Sequence, residues 1–284
     1  MIGRVLIAGL LAATAAAAQP GAQAAPAPSV RALLQLAQRQ ASDGDGAAAL
    51  ESLRTARAMA PNSEEILSAF AQLSLATRML GPAVATLDSL TRICPTVGQY
   101  HYLLGVALME AGDMPAAVVS LERANRLEPE RPRTLLALAL AMNSRKQYRE
   151  AKDAAVKSLE LDPDNIEAVA ALAEAEAGTG DIGPAEDHAR RVLARAAAHP
   201  TALLVVGIVR MQQERYADAR DALERAIAAN PGSAAAHYQL SLAFARLGDE
   251  TRAQQHVEIY QQKLRETEDR IKAVRSSPAG EKRP

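Results

Sequence analysis

The sequence predicts an all-α protein, a solenoid of seven tandem helix-turn-helix repeats of 34 residues each. Three observations carry this expectation. Prolines recur at Pro61, Pro95, Pro129 and Pro163, each 34 residues after the last, and Pro231 follows 68 residues later. With proline set at position 32 of the repeat, position 20 is alanine in every copy: Ala49, Ala83, Ala117, Ala151, Ala185, Ala219 and Ala253. The composition is 49% apolar but only 3% aromatic. Ala and Leu, both strong helix formers, supply most of the apolar share.

A period of this length marks supersecondary units that bury their apolar faces only by stacking. The frame starts repeats at Val30, Glu64, Gly98, Pro132, Ile166, Pro200 and Ala234. Position 8 is always small: Ala37, Ala71, Gly105, Ala139, Ala173, Gly207 and Ser241. Position 7 is always large and apolar: Leu36, Phe70, Leu104, Leu138, Leu172, Val206 and Leu240. Positions 4, 7, 8 and 11 share one face of a first helix, and positions 20, 24 and 27 one face of a second. Small residues at 8 and 20 let the two helices approach closely. Runs rich in β-branched or aromatic residues are missing, so strands have no support.

The punctuation agrees. Gly-Asp occurs at 44–45, 112–113, 180–181 and 248–249. Glycine suits the left-handed residue that ends a first helix, and Asp can cap the next. Proline at position 32 cannot continue the second helix. Asn62 with Glu65 and Asp164 with Glu167 have capping-box spacing. The fifth repeat departs, with Ala197 at position 32 and Pro200 beyond it, so a reshaped turn is expected there.

The ends read differently. Residues 1–18 have a basic start and an unbroken run of apolar or small residues from Val5 to Ala18. That run is too short to span a bilayer and fits a secretory signal, with cleavage after Ala18 or as late as residue 25. The product is then expected to be periplasmic or secreted, soluble, and without a transmembrane segment. Residues 19–29 read as a flexible Pro/Ala tether. The lone Cys94 can form no internal disulfide. Beyond Ala253, Val257, Tyr260, Leu264, Thr267, Ile271 and Val274 follow heptad spacing. The expected role is a helix capping the solenoid through residue 276, with a weak homodimer as the competing one. Residues 277–284 read as a disordered tail.

The pattern of small at 8, Gly at 15, Ala at 20, Leu at 24, Ala at 27 and Pro at 32 resembles the tetratricopeptide repeat over residues 30–267. That resemblance implies a right-handed solenoid whose first helices line a concave groove, with positions 2, 5, 9 and 12 pointing into it. Here those positions include Tyr102, Val106 and Met109, then Leu136, Leu140 and Asn143. After Glu167 and Glu174 interrupt, Leu204, Ile208, Met211, Tyr238 and Leu242 follow. The first two repeats are polar there, with Arg31, Gln38, Ser68 and Gln72. Apolar residues in such number mark a surface for another protein.

Chemistry finds little support. Lys and Arg total 32 against 33 Asp and Glu, without the basic excess of a nucleic-acid binder. No Cys/His cluster has zinc spacing, and neither a phosphate-binding loop nor a nucleophile elbow occurs. His101 and His237 share position 4, while His188 and His256 share position 23, so the frame sends like-placed histidines to separate repeats. The expectation is a non-enzymatic scaffold without cofactor or metal, binding one or more proteins in an envelope or secretion assembly.

Overall fold

The period seen in the sequence becomes a strict alternation of helices in the computed structural model, which describes residues 28–277. The signal and most of the tether lie outside the described residues, as does the tail beyond Ser277. First helices of the repeats are α1 (Pro28–Ser42), α3 (Glu64–Ala76), α5 (Gly98–Ala111), α7 (Pro132–Ser144), α9 (Ile166–Thr179), α11 (Pro200–Gln212) and α13 (Ala234–Arg246). Second helices are α2 (Gly46–Met59), α4 (Leu80–Ile93), α6 (Met114–Leu127), α8 (Tyr148–Leu161), α10 (Ile182–Arg195), α12 (Tyr216–Ala229) and α14 (Glu250–Ser276). Every second helix begins at position 17. Six of the first helices begin at position 1. The exception, α1, starts at Pro28, two residues inside the expected tether, because proline is pre-organised for the first helical position.

The chain divides into two compact units. One holds α1–α4, up to Pro95, and the other runs from Thr96 to Arg275. In the first, Val30, Leu34, Ala37, Leu50, Leu53, Ile66 and Phe70 form a common core. In the second, α5, α7, α9 and α11 each pack on their own second helix, and α7, α9, α11 and α13 each pack on the second helix before them. Successive first helices of this unit also touch one another: α5–α7, α7–α9, α9–α11 and α11–α13. Successive second helices make no comparable contact. The first helices are therefore the inner layer of a curved stack, and the second helices the outer one.

Close helix approach rests on the small positions. The position-20 alanines are fully buried except Ala253, which is 9% exposed on the last repeat. Position 8 faces position 24. A Cβ on Gly105 would sit 2.5 Å from Leu121, and one on Gly207 2.5 Å from Leu223. Where position 8 is Ala139 or Ala173, position 24 is itself alanine, Ala155 or Ala189, and all four are fully buried. Size is thus traded across the contact. Position 7 is buried or half-buried in repeats two to seven, but Leu36 in the first is 45% exposed. An end repeat has no predecessor among the described residues to cover that face.

Turn geometry is more uniform than the sequence implies. Gly44, Gly112, Gly180 and Gly248 have φ between 80° and 91°. The even repeats hold the same left-handed residue without glycine, at Arg78, Lys146 and Glu214, with φ of 59–60°. The turn after the fifth repeat is not reshaped. Ala196 closes α10 with φ −142° and ψ 84°, matching Asp162 at −141° and 80°. Proline at position 32 is evidently not required for this bend once the neighbouring helices pack.

Two capping expectations shift. The N-cap residues are Ser63 and Asn165, one place after the expected Asn62 and Asp164. Asn165 accepts from the Ala168 amide at 3.1 Å, whereas Ser63 makes no side-chain cap. Asp45, Asp113 and Asp249 cap their helices as expected. Asp181 does not; it accepts from Lys152 Nζ at 2.7 Å and from the Thr179 hydroxyl at 3.0 Å.

The last helix departs most from expectation. Its first turns do cap the seventh repeat, with the Tyr260 ring 5.3 Å from that of Tyr238. Its far end, however, returns to the third repeat. Arg275 places Nε at 3.0 Å and a terminal nitrogen at 2.6 Å from one carboxylate oxygen of Asp113. Arg270 donates to the Glu110 carbonyl at 3.4 Å. Of the heptad stripe, Val274 is buried and Leu264 is exposed.

Candidate functional site

The inner layer of the second unit carries the candidate groove on α5, α7, α9, α11 and α13. Position 9 is Val106, Leu140, Glu174, Ile208 and Leu242 in succession. Val106, Leu140 and Ile208 are half-buried, and Leu242 is 38% exposed. Met109, Leu136 and Met211 are likewise half-buried, and Tyr238 is 40% exposed. These side chains keep apolar surface in water on the concave face.

Three of the sequence-derived groove residues are instead taken up by packing. Leu204 is buried in the core shared by α11, α12 and α13. Tyr102 is buried, with the Arg133 guanidinium 5.4 Å from its ring centre. That burial raises the Tyr102 phenol above its ordinary pKa, and Arg133 pulls it back. Asn143 is 3% exposed and donates its side-chain amide to the Ala171 carbonyl at 2.8 Å, tying α7 to α9. A rule built on position alone cannot separate groove from inter-repeat contact, because adjacent first helices touch along the same edge.

Glu174 is the polar feature of the groove. It stands on α9 between Leu140 and Ile208 in the position-9 row. Part of its surface is open, yet protein surrounds it closely, and this burial raises its carboxyl to about 7. Tyr148, at the start of α8, has its phenol raised first by burial and then by the Glu174 charge. The second groove acid, Glu167, lies 3.2 Å from His199 Nε2, and that hydrogen bond lowers its pKa.

The histidines need correction. Matched repeat positions do separate His101 from His237 and His188 from His256. Within the seventh repeat, however, position 4 faces position 23. His237 and His256 stack at 5.2 Å, with Nδ1 atoms 3.0 Å apart, and the Phe244 ring lies 5.6 Å from His256. Burial lowers both pKa values, which disfavours charge on either ring, and across the Nδ1 contact one ring donates and the other accepts. The signal was present in the frame, since these two positions lie on helix faces that meet. His188 in the fifth repeat reaches the buried Glu176 at 2.7 Å, and this bond raises its pKa. His199 caps α11, its Nδ1 accepting from the Ala202 amide at 3.3 Å. Cys94 is half-buried, and burial with Glu64 beside it pushes its thiol up to about 11, which opposes thiolate chemistry.

Among the described residues, no group of three or more His, Cys, Asp or Glu side chains converges as a metal site would need. None of the described helices is long and apolar enough to cross a membrane.

Comparison with known proteins agrees with this architecture. Residues 204–263 match a tetratricopeptide repeat family model. A tetratricopeptide repeat protein from Parabacteroides merdae superposes with a TM-score of 0.68 at 15% identity, covering 88% of this chain and 100% of that one. PilW, a widely conserved type IV pilus biogenesis factor, gives 0.56 at 17% identity over 77% of this chain and 99% of its own. YrrB, described as a repeat protein of this type with an unusual peptide-binding site, gives 0.51 at 20% identity over 66% and 96%. At such identities the likeness is one of fold. No curated protein sequence matches the chain.

Proposed function

We propose that this chain, a tetratricopeptide repeat protein, is a non-enzymatic scaffold that holds a segment of another protein in the concave groove of its second unit. The observation that carries this reading is the position-9 row. Val106, Leu140, Ile208 and Leu242 keep apolar surface open on four of the five first helices, with Glu174 between the two pairs, where a solvated face would be polar throughout. Tyr238, Met109 and Met211 add adaptable surface beside it. An extended or helical segment anchored by apolar side chains fits a groove of this kind.

Export belongs to the same proposal. The apolar run from Val5 to Ala18 supports a secreted or periplasmic product, and that setting suits an envelope or secretion assembly. Cell fractionation with N-terminal sequencing of the mature protein tests it.

The groove is tested with the double variant Leu140→Asp, Ile208→Asp. Both side chains are half-buried on the inner layer, and Ile208 also packs against the cores on either side of it, so circular dichroism first establishes that the variant folds. Affinity capture from an envelope extract is then compared with wild type. Specific partners should be lost. Capture at full strength by the folded variant would remove the groove from the function.

A further inference from the structure

Glu174 is a carboxylate in the groove without a cation. It holds position 9 of α9, half-buried, with Leu140 in the same place on α7 and Ile208 on α11. Both of those helices touch α9, and packed helices lie about 8–10 Å apart. The row thus runs apolar, acidic, apolar in steps of that size.

Other carboxylates of this unit have their partners. Glu176 lies 2.7 Å from His188, Asp181 2.7 Å from Lys152 and Glu186 2.9 Å from Arg210. Those three cations belong to α10, α8 and α11, the helices packed beside α9. On α7, Arg133 lies over Tyr102 and Asn143 donates to the Ala171 carbonyl. His199, at the head of α11, is taken by Glu167. What faces Glu174 is the Tyr148 phenol of α8, whose ring rests against Gly178 one turn along α9. Among the described residues, burial alone acts on the Glu174 carboxyl, with neither a hydrogen bond nor a cation beside it. A carboxylate shielded from water without a partner is costly once ionised. A cation brought by a ligand removes that cost and adds a charge-assisted hydrogen bond.

We propose that the segment held by the groove is apolar with one lysine or arginine at its middle, and that this basic side chain binds Glu174. This rests on the groove reading above and adds the chemistry of the partner. Apolar anchors sit on Val106 and Leu140 to one side and on Ile208 and Leu242 to the other. The acid between them fixes the register. A segment displaced by one repeat sets its cation on an apolar side chain and an apolar group on the carboxylate. The same penalty rejects apolar segments that lack the basic residue. In the unbound chain this carboxyl titrates at about 7. A basic segment binds the ionised form, so its advantage over a neutral one grows as pH rises through that value.

The test starts from a random phage-displayed library of peptides of about 16 residues, long enough when extended to cross the row. It is selected on the full chain and on Glu174→Gln, which keeps the shape and removes the charge. Wild type should enrich apolar peptides with a central Lys or Arg, and Glu174→Gln apolar peptides without that preference. The strongest wild-type peptide, acetylated and fluorescein-labelled, is then compared by anisotropy with a copy carrying norleucine in place of the basic residue. The basic form should bind about tenfold more tightly at pH 8.5 and about equally at pH 5.5. On Glu174→Gln the ratio of the two affinities should not change with pH. Groups that titrate in both complexes cancel in that ratio. A basic residue favoured equally by both proteins, or a ratio indifferent to pH on wild type, overturns the pairing and leaves the groove in place. Leu140→Asp should weaken both peptides alike. If it weakens neither, or if no apolar peptide is enriched at all, the groove reading fails and the pairing with it.

Discussion

Glu174 should make the stability of the second unit depend on pH in a direction opposite to that of a surface carboxylate. Its carboxyl is raised from 4.5 to about 7 by burial. At about 1.4 kcal/mol per unit, a shift of that size corresponds to about 3 kcal/mol. Part of the side chain is open to water, so the working figure is about 1–3 kcal/mol. Between pH 4.5 and 7 the folded chain keeps a proton that the unfolded chain has released. Stability therefore falls as pH rises through that window, and the loss is complete above it. Glu174→Gln imitates the protonated form at every pH. The variant should match wild type near pH 4.5 and exceed it by about 1–3 kcal/mol at pH 8. Urea unfolding followed by circular dichroism measures this, taken as the difference in midpoint multiplied by the common slope. Other titrating groups, including His188 and the His237–His256 pair, are the same in both proteins and cancel. A difference that stays constant from pH 4.5 to pH 8 would refute the reasoning.

Three further outcomes are expected. Ala151→Leu puts a large side chain where none of the alanine surface is exposed, and should lower stability by about 1–3 kcal/mol through overpacking, read from the same unfolding curves. Lys146→Gly relieves a left-handed lysine at φ 60° and should raise stability by about 0.5–1 kcal/mol, whereas the same change at a helix interior would lower it. His188 gains stability from Glu176 with a raised pKa; that contribution is complete below pH 6.5 and is lost as pH rises through the folded pKa. Glu176→Gln should return the His188 imidazole titration, followed by NMR, to lower pH.

Local packing was legible in the sequence because every repeat must solve the same problem. Two helices approach closely only over small side chains, so positions 8 and 20 declared themselves, and six of the first helices start where the frame begins a repeat. The Gly105–Leu121 and Gly207–Leu223 contacts were also implicit, as the largest residue at position 24 meets the smallest at position 8. Turn geometry was less legible. Arg78, Lys146 and Glu214 adopt the glycine conformation because the helices on both sides fix the bend, which overrides local preference. The groove was legible only as a set of positions. Whether Tyr102 or Leu204 faces the channel or a neighbouring helix depends on the angle between repeats, which no single repeat encodes.

The last helix shows the limit of reading by period. A solenoid is held by contacts between neighbours, so its pattern is local by construction and its ends are its weakest points. Residues 264–276 lie beyond the last positions that the frame constrains, and nothing in their heptad spacing distinguishes a cap from a dimer seam or a return to an earlier repeat. What decides among these is a contact between distant repeats. The Glu110–Asp113 turn lies within reach of the helix leaving the seventh repeat, and Arg275 finds there an aspartate that already caps α6. The same carboxylate thus closes a local turn and a contact between residues 162 apart in sequence. A contact of this kind joins the seventh repeat to the third, which the local pattern of 34 residues cannot express.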